Sequence, residues 1–176
     1  SLLPAILWRN SVDTAKIFCV NGDYLADISG VGILDAMMGE TYDYDIYPVI
    51  NAQNLVIADL PCSGLGVLAK KTDLKYKATE QGTKELAGLQ REILKNAASY
   101  VRPGGTLIYS TCTINPAENI ENVHWFLKEF PEFVLDPIAD RLCSTLQDSV
   151  EEAGCLQLLP GIHKSDGFFI ARFGKK

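Results

Sequence analysis

Two short apolar runs, each ending in a cysteine-bearing turn, constrain this sequence more than anything else in it. Leu55-Val56-Ile57-Ala58 leads into Asp59-Leu60-Pro61-Cys62-Ser63-Gly64-Leu65-Gly66, and Thr106-Leu107-Ile108-Tyr109 leads into Ser110-Thr111-Cys112-Thr113-Ile114-Asn115-Pro116. Short continuous apolar runs bounded by turn formers are what strands buried on both faces of a parallel sheet require. Between the runs, Leu86, Leu89, Ile93, Leu94, Ala97 and Val101 recur at helical spacing, which predicts a helix over 83–101 and then a turn at Gly104-Gly105. Strand, helix and strand make a right-handed crossover unit with parallel strands. Such strands bring their carboxyl ends to one edge, where α/β sheets bind ligands, so Asp59, Cys62 and Cys112 become the candidate site residues.

A chain of 176 residues with 47% hydrophobic content is expected to form one domain around one core. No apolar run approaches the roughly 20 residues of a membrane helix, and Ser1 to Ile6 lacks the basic start of a secretory signal. Five cysteines, an odd number without a tight scaffold spacing, favour reduced thiols, and a cytoplasmic protein is expected. The formal charge of −6 argues against broad nucleic-acid binding, which leaves Lys70, Lys71, Lys75 and Lys77 as the one candidate phosphate-facing patch. Cys143, Cys155 and His163 lack metal-ligand spacing, so no metal site is assigned.

The first 54 residues carry weaker patterns. Lys16–Val20 and Val31–Leu34 read as strands, the second ending at Asp35, and Asp27-Ile28-Ser29-Gly30-Val31-Gly32 has a passing likeness to a cofactor-binding turn. Only about thirty residues separate that turn from Asp59, where two further strand-helix units need about sixty, so a plain turn in a shortened region is favoured. Tyr42–Tyr47 reads as a solvated acidic loop. After Pro116, a helix with acids in its first turn places Ile120, Val123, Phe126 and Leu127 on the core and His124 on the surface. Phe133–Leu135 reads as a strand and 144–153 as a loop or short helix. The stretches 155–161 and 167–173 read as an antiparallel hairpin on the sheet edge.

A thiolate is a strong nucleophile that needs a polar, partly exposed pocket. Asp59 raises rather than lowers the pKa of a nearby thiol, so its task is to accept a hydrogen bond from a substrate donor. An acid that accepts from an amino group beside a nucleophile fits an amidine-like ring such as cytosine. A thiolate adding to carbon-6 of that ring makes carbon-5 nucleophilic towards a methyl sulfonium, and a second thiol assists release of the product. Either cysteine taken singly reads equally well as a small buried hydrophobe, and their joint placement favours chemistry. Thiol hydrolase or redox chemistry at Cys62 or Cys112 stays as a remote alternative.

The runs Asp59–Gly66, Leu89-Gln90-x-x-Ile93-Leu94, Arg102–Cys112, Asn115-Pro116-x-Glu118-Asn119 and Asp166–Ala171, in this order, resemble the successive motifs of the Sun (Fmu) family of RNA cytosine carbon-5 methyltransferases, of the bacterial 16S ribosomal RNA type. The resemblance covers about Leu55 to the end. It implies a Rossmann-like α/β fold that uses S-adenosylmethionine, with a parallel sheet, an antiparallel carboxyl-terminal strand and an incomplete amino-terminal half. On this reading residues 1–54 are a divergent or shortened cofactor half and 55–176 the family-like half. Cys112 is then the nucleophile, Cys62 assists product release, and Asp59 contacts both the cytosine and the methyl end of the cofactor. Pro61 lies against the cofactor, and Asp35 stands for the acid that contacts its adenine, although Glu40 is nearer the usual separation. The implied partner is ribosomal RNA, with no DNA and no membrane. The family's glycine-rich cofactor motif is not found, which predicts weak or lost S-adenosylmethionine binding by these 176 residues. A non-catalytic α/β module that binds RNA or protein is the competing expectation.

Overall fold

The computed structural model describes residues 5–6, 16–20, 51, 53–70 and 79–176. Its elements in chain order are β1 (Ala5–Ile6), β2 (Lys16–Val20), β3 (Gln53–Asp59), α1 (Glu80–Tyr100), β4 (Val101–Thr111), α2 (Ile120–Glu129), β5 (Phe133–Leu135), α3 (Ser144–Gln147), β6 (Val150–Glu152), β7 (Cys155–Leu158) and β8 (Phe168–Lys175). The strands form one mixed sheet in the order β1-β2-β3-β4-β8-β7-β6, with β5 pairing β8 from off this path. The Val31–Leu34 strand, the Asp27–Gly32 turn, Asp35, Glu40, the Tyr42–Tyr47 loop and Lys71, Lys75 and Lys77 lie outside the described residues.

The strand-helix-strand unit forms as the sequence pattern predicts. β3 and β4 pair in parallel, Leu55 with Thr106 through Asp59 with Ser110. β8 flanks β4 on its other side and runs antiparallel to it, Thr106 opposite Gly174 and Thr111 opposite Phe169. β2 is antiparallel to β3, from Lys16 opposite Asp59 to Val20 opposite Leu55. Parallel pairing, expected throughout the sheet apart from its last strand, is confined among the described strands to β3 and β4.

Alternation on the central strands selects the face that α1 and α2 cover. Val56 and Ala58 of β3, Leu107 and Tyr109 of β4, and Phe169, Ala171 and Phe173 of β8 are buried with Ile93, Leu94 and Ala97 of α1 and Val123 and Phe126 of α2. Each large side chain in this layer contributes about 1.5–3 kcal/mol by leaving water. Phe126 is the hub. Its ring lies 4.8 Å from Phe130, 5.1 Å from Phe133 and 4.7 Å from Phe173, centroid to centroid.

Local chemistry fixes the ends of these elements. The Thr79 hydroxyl caps α1 by accepting from Gly82 N at 3.0 Å, and Glu80 pairs one turn on with Lys84 at 2.6 Å, so the helix starts at Glu80, three residues before the start expected at 83. The expected turn at Gly104-Gly105 is instead an irregularity inside β4. Gly104 takes φ +74, and the register with β3 shifts between Gln53 and Leu55 before regular pairing resumes at Thr106. The stretch 144–153 contains α3, as allowed for, and also the strand β6. β7 and β8 are antiparallel as expected, but β8 lies inside the sheet and β6 forms the edge.

Candidate active site

The carboxyl ends of β3 and β4 meet with three polar groups between them. Asp59 closes β3, is exposed, and accepts a hydrogen bond on Oδ1 from the Ser110 hydroxyl at 3.0 Å. Cys112 follows β4 directly. Cys62 lies three residues beyond β3, on a turn whose start is held by Leu60 N donating to Ser110 O at 3.0 Å. The two sulfurs stand 3.2 Å apart, and both cysteines are half-buried. The structure therefore brings Cys62 and Cys112 together with Asp59 beside them, Pro61 in the turn between, and Asp35 outside the described residues.

A tight backbone junction carries the Cys62 turn onto the Cys112 turn. Gly66 N donates to Cys112 O at 3.1 Å, and Gly167 N donates to Gly66 O at 2.8 Å. A Cβ on Gly66 would meet the Gly167 carbonyl oxygen at 2.2 Å, and one on Gly167 would meet Gly66 Cα at 2.7 Å. Only glycine fits where three chain segments touch. Lys70, the described member of the lysine run, pairs with Asp166 at 2.5 Å next to this junction.

Beneath the turns lies a buried polar layer. Glu118, fully buried, accepts from Ser63 N at 2.8 Å, Ser63 Oγ at 2.5 Å and Gln90 Nε2 at 3.1 Å. Gln90 Nε2 also donates to Pro61 O at 2.8 Å, while its oxygen accepts from Asn122 Nδ2 at 2.8 Å. The neighbouring Asn119 accepts from Thr111 Oγ1 at 2.6 Å and donates to Thr113 O at 3.0 Å and Gln157 Oε1 at 2.8 Å. Such a layer is stable because every buried donor and acceptor in it finds a partner. The sequence pattern reads Glu118 as an acid favouring the positive end of a helix. It lies instead in a 3₁₀ turn over Pro116–Glu118, aimed inward, and Gln90 takes a core position on α1. The signal for this was present: a glutamate and an asparagine side by side just ahead of an apolar helix face, and a glutamine on the apolar face of α1.

The thiols differ in what they can do. The Cys62 thiol is pushed far above its ordinary value, first by its hydrogen bond to Cys112, then by burial, then by the charge a Cys112 thiolate would carry. Cys62 thus stays a neutral thiol that can donate a hydrogen bond to its neighbour. Buried Tyr109, whose hydroxyl donates to Glu118 O, is also pushed up, chiefly by desolvation.

Comparison with known proteins turns this geometry into a family assignment. Residues 28–174 match the family model described as 16S rRNA methyltransferase RsmB/F. This chain belongs to the RsmB/F family. The match starts at residue 28, upstream of Leu55, where the legible motifs begin. Among curated relatives, the RsmB/F chain is 39% identical over 139 residues to "Probable ribosomal RNA small subunit methyltransferase B" of Bacillus subtilis (strain 168), covering 78% of this chain and 30% of the relative. Among solved structures it resembles a methyltransferase homolog protein from Pyrococcus horikoshii, with a TM-score of 0.54 and 29% identity over 70% of this chain and 39% of that one. It also resembles NSun6 from Pyrococcus horikoshii, solved with SFG, with a TM-score of 0.53 and 28% identity over 68% of this chain and 29% of that one. The α/β fold is thus the Rossmann-like methyltransferase fold, and S-adenosylmethionine is the methyl donor of the family. The RsmB/F chain spans about a third of the curated relative it matches. Among the described residues, no helix is long and apolar enough to cross a membrane.

Proposed function

We propose that this chain carries the cysteine-bearing part of an S-adenosylmethionine-dependent methyltransferase that modifies carbon-5 of cytosine in small-subunit ribosomal RNA. The observation that carries the reading is the 3.2 Å separation of the Cys62 and Cys112 sulfurs at adjoining strand ends, with the Asp59 carboxylate exposed beside them. A redox pair usually sits in one C-x-x-C segment, whereas two thiols delivered by separate parallel strands suit an adduct that one makes and the other helps undo.

The residues present suit the cofactor's methyl end. The carboxylate of Asp59, oriented by Ser110, can receive an amino group of the cofactor or of the cytosine, and Pro61 stiffens the turn beneath it. Bound there, S-adenosylmethionine supplies an electrophilic methyl group on a sulfonium sulfur. Cys112, as thiolate, adds to carbon-6 of an unstacked cytosine, and the ring electrons released to carbon-5 take up the methyl group as its bond to the sulfonium sulfur breaks and leaves a neutral thioether. The Cys112 sulfur is then a neutral thioether. That removes two of the three causes that raise the Cys62 pKa, the hydrogen bond and the charge, and leaves only burial, so its pKa falls and the thiol can pass its proton to water. As a thiolate it takes the proton from carbon-5, the carbon-5 to carbon-6 double bond re-forms, and Cys112 departs as thiolate.

The test is a Cys62→Ala variant incubated with S-adenosylmethionine and small-subunit ribosomal RNA. A covalent protein–RNA adduct through Cys112 is expected to accumulate, and none in Cys112→Ala. If label from the cofactor reaches RNA in neither variant nor wild type, and no adduct forms, the reading fails in favour of a binding module.

A further inference from the structure

The mechanism needs two sulfurs from different loops held at contact distance, yet nothing in either loop alone sets that distance. The Gly66 N to Cys112 O bond ties the turns at one point; the groups that grip the residues next to each cysteine lie in the buried layer, in two consecutive residues. Glu118 holds Ser63, the residue after Cys62, by its backbone N–H at 2.8 Å and its hydroxyl at 2.5 Å. Asn119 holds both residues flanking Cys112, accepting from Thr111 Oγ1 at 2.6 Å and donating to Thr113 O at 3.0 Å. Ser63 Oγ and Thr113 Oγ1, 2.8 Å apart, join the two grips directly. Glu118 and Asn119 are 0% and 1% exposed, so water cannot replace a lost partner.

We propose that Glu118 and Asn119 are positioning residues that set the separation of the Cys62 and Cys112 sulfurs, one gripping each cysteine turn from adjacent places in the chain. The inference rests on the methyltransferase reading only for its purpose; the geometry it claims is measurable without RNA. Because the two residues are bonded neighbours, the loops they hold cannot slide apart without breaking a grip. Glutamine at 118 preserves the arrangement: its oxygen takes the place of Oε2 under Ser63 N and Gln90, and its amide donates to Ser63 Oγ, which turns to donate to Thr113 Oγ1. Alanine offers none of this.

The experiment treats the full chain with dibromobimane, which becomes fluorescent when it bridges two nearby thiols, and identifies the joined Cys62 and Cys112 peptides by mass spectrometry. Glu118→Ala is expected to lower the rate of bridging about tenfold, the scale of one or two lost hydrogen bonds, and Glu118→Gln to stay within about twofold of wild type. Ser63→Ala, which keeps the backbone grip and loses the hydroxyl, is expected to fall between them and decides the matter if Glu118→Ala does not fold. Phe126→Ala, which loosens the core away from both turns, is expected to leave bridging in the folded fraction unchanged, as a merely structural role for Glu118 would not. Wild-type bridging in folded Glu118→Ala, in Ser63→Ala if that variant alone folds, or a loss in Glu118→Gln equal to that in alanine, overturns the inference. If bridging responds as expected but Cys62→Ala traps no RNA, the methyltransferase reading fails alone; if RNA is trapped but bridging does not respond, the positioning inference fails alone.

Discussion

Gly66→Ala gives the clearest quantitative test of how the site is built. The added Cβ falls 2.2 Å from Gly167 O and 2.7 Å from Cys112 O, both backbone atoms that no rotamer change can move aside. Contacts to real Cβ atoms begin near 3.0 Å, so the Gly167 carbonyl must retreat by at least 0.8 Å. A retreat of that size is enough to carry the 2.8 Å bond from Gly167 N to Gly66 O beyond hydrogen-bonding range. Loss of one or both junction bonds costs about 1 kcal/mol each, and overpacking about 1–3 kcal/mol more. The smaller entropy of the unfolded alanine chain returns roughly 0.4–1 kcal/mol. The expected net destabilisation is about 2–4 kcal/mol, read as a lower urea midpoint and a Tm fall of roughly 5–15 °C for a domain this size. Gly88→Ala is the matched control. It lies on the exposed face of α1 with nothing within 4 Å of the new Cβ, and is expected to stabilise by roughly 0.5–1 kcal/mol. A Gly66→Ala protein within about 0.5 kcal/mol of wild type would refute the three-segment junction.

Phe126→Ala empties the centre of the aromatic cluster and is expected to cost about 3–5 kcal/mol in chemical denaturation, with the loss concentrated where α2 meets β8. Tyr109→Phe leaves the buried Glu118 carbonyl without its hydroxyl donor, at about 1–3 kcal/mol near neutral pH. Because folding raises the Tyr109 pKa, the unfolded chain releases that proton first. The stability linked to it is whole below pH of about 10 and is lost as pH rises above that value, so wild type should fall more steeply than Tyr109→Phe in denaturation from pH 9.5 upward.

What could be read in advance was local and periodic. The Leu55–Ala58 and Thr106–Tyr109 runs and the helical spacing from Leu86 to Val101 marked the central unit, although the burial on both faces expected of the runs is met on one: Val56, Ala58, Leu107 and Tyr109 are buried, while Leu55, Ile57 and Ile108 are half-buried. The same logic placed Phe133–Leu135 and the β7–β8 pairing. It failed where tertiary contact overrides local preference. Val150-Glu151-Glu152 has no apolar alternation and forms a strand only because β7 offers an edge, and Gly104-Gly105 reads as a turn although β4 continues through it. In the site, Cys62, Cys112 and Asp59 stood out because thiols and an acid at strand ends are chemically conspicuous. Glu118, Asn119 and Gln90 did not, because their one signal, polar residues set against apolar helix faces, does not say what they bind until their partners, 28 to 55 residues away for Glu118, are known.

The position of β8 has a consequence for biosynthesis. Residues 168–175 pair along the outer edge of β4, so while a ribosome is still making them the strand that ends beside Cys112 has one bare flank. Gly167, which caps the Gly66 junction, arrives at the same moment. The nascent chain therefore cannot close this corner until residues 167–175 have emerged from the ribosome.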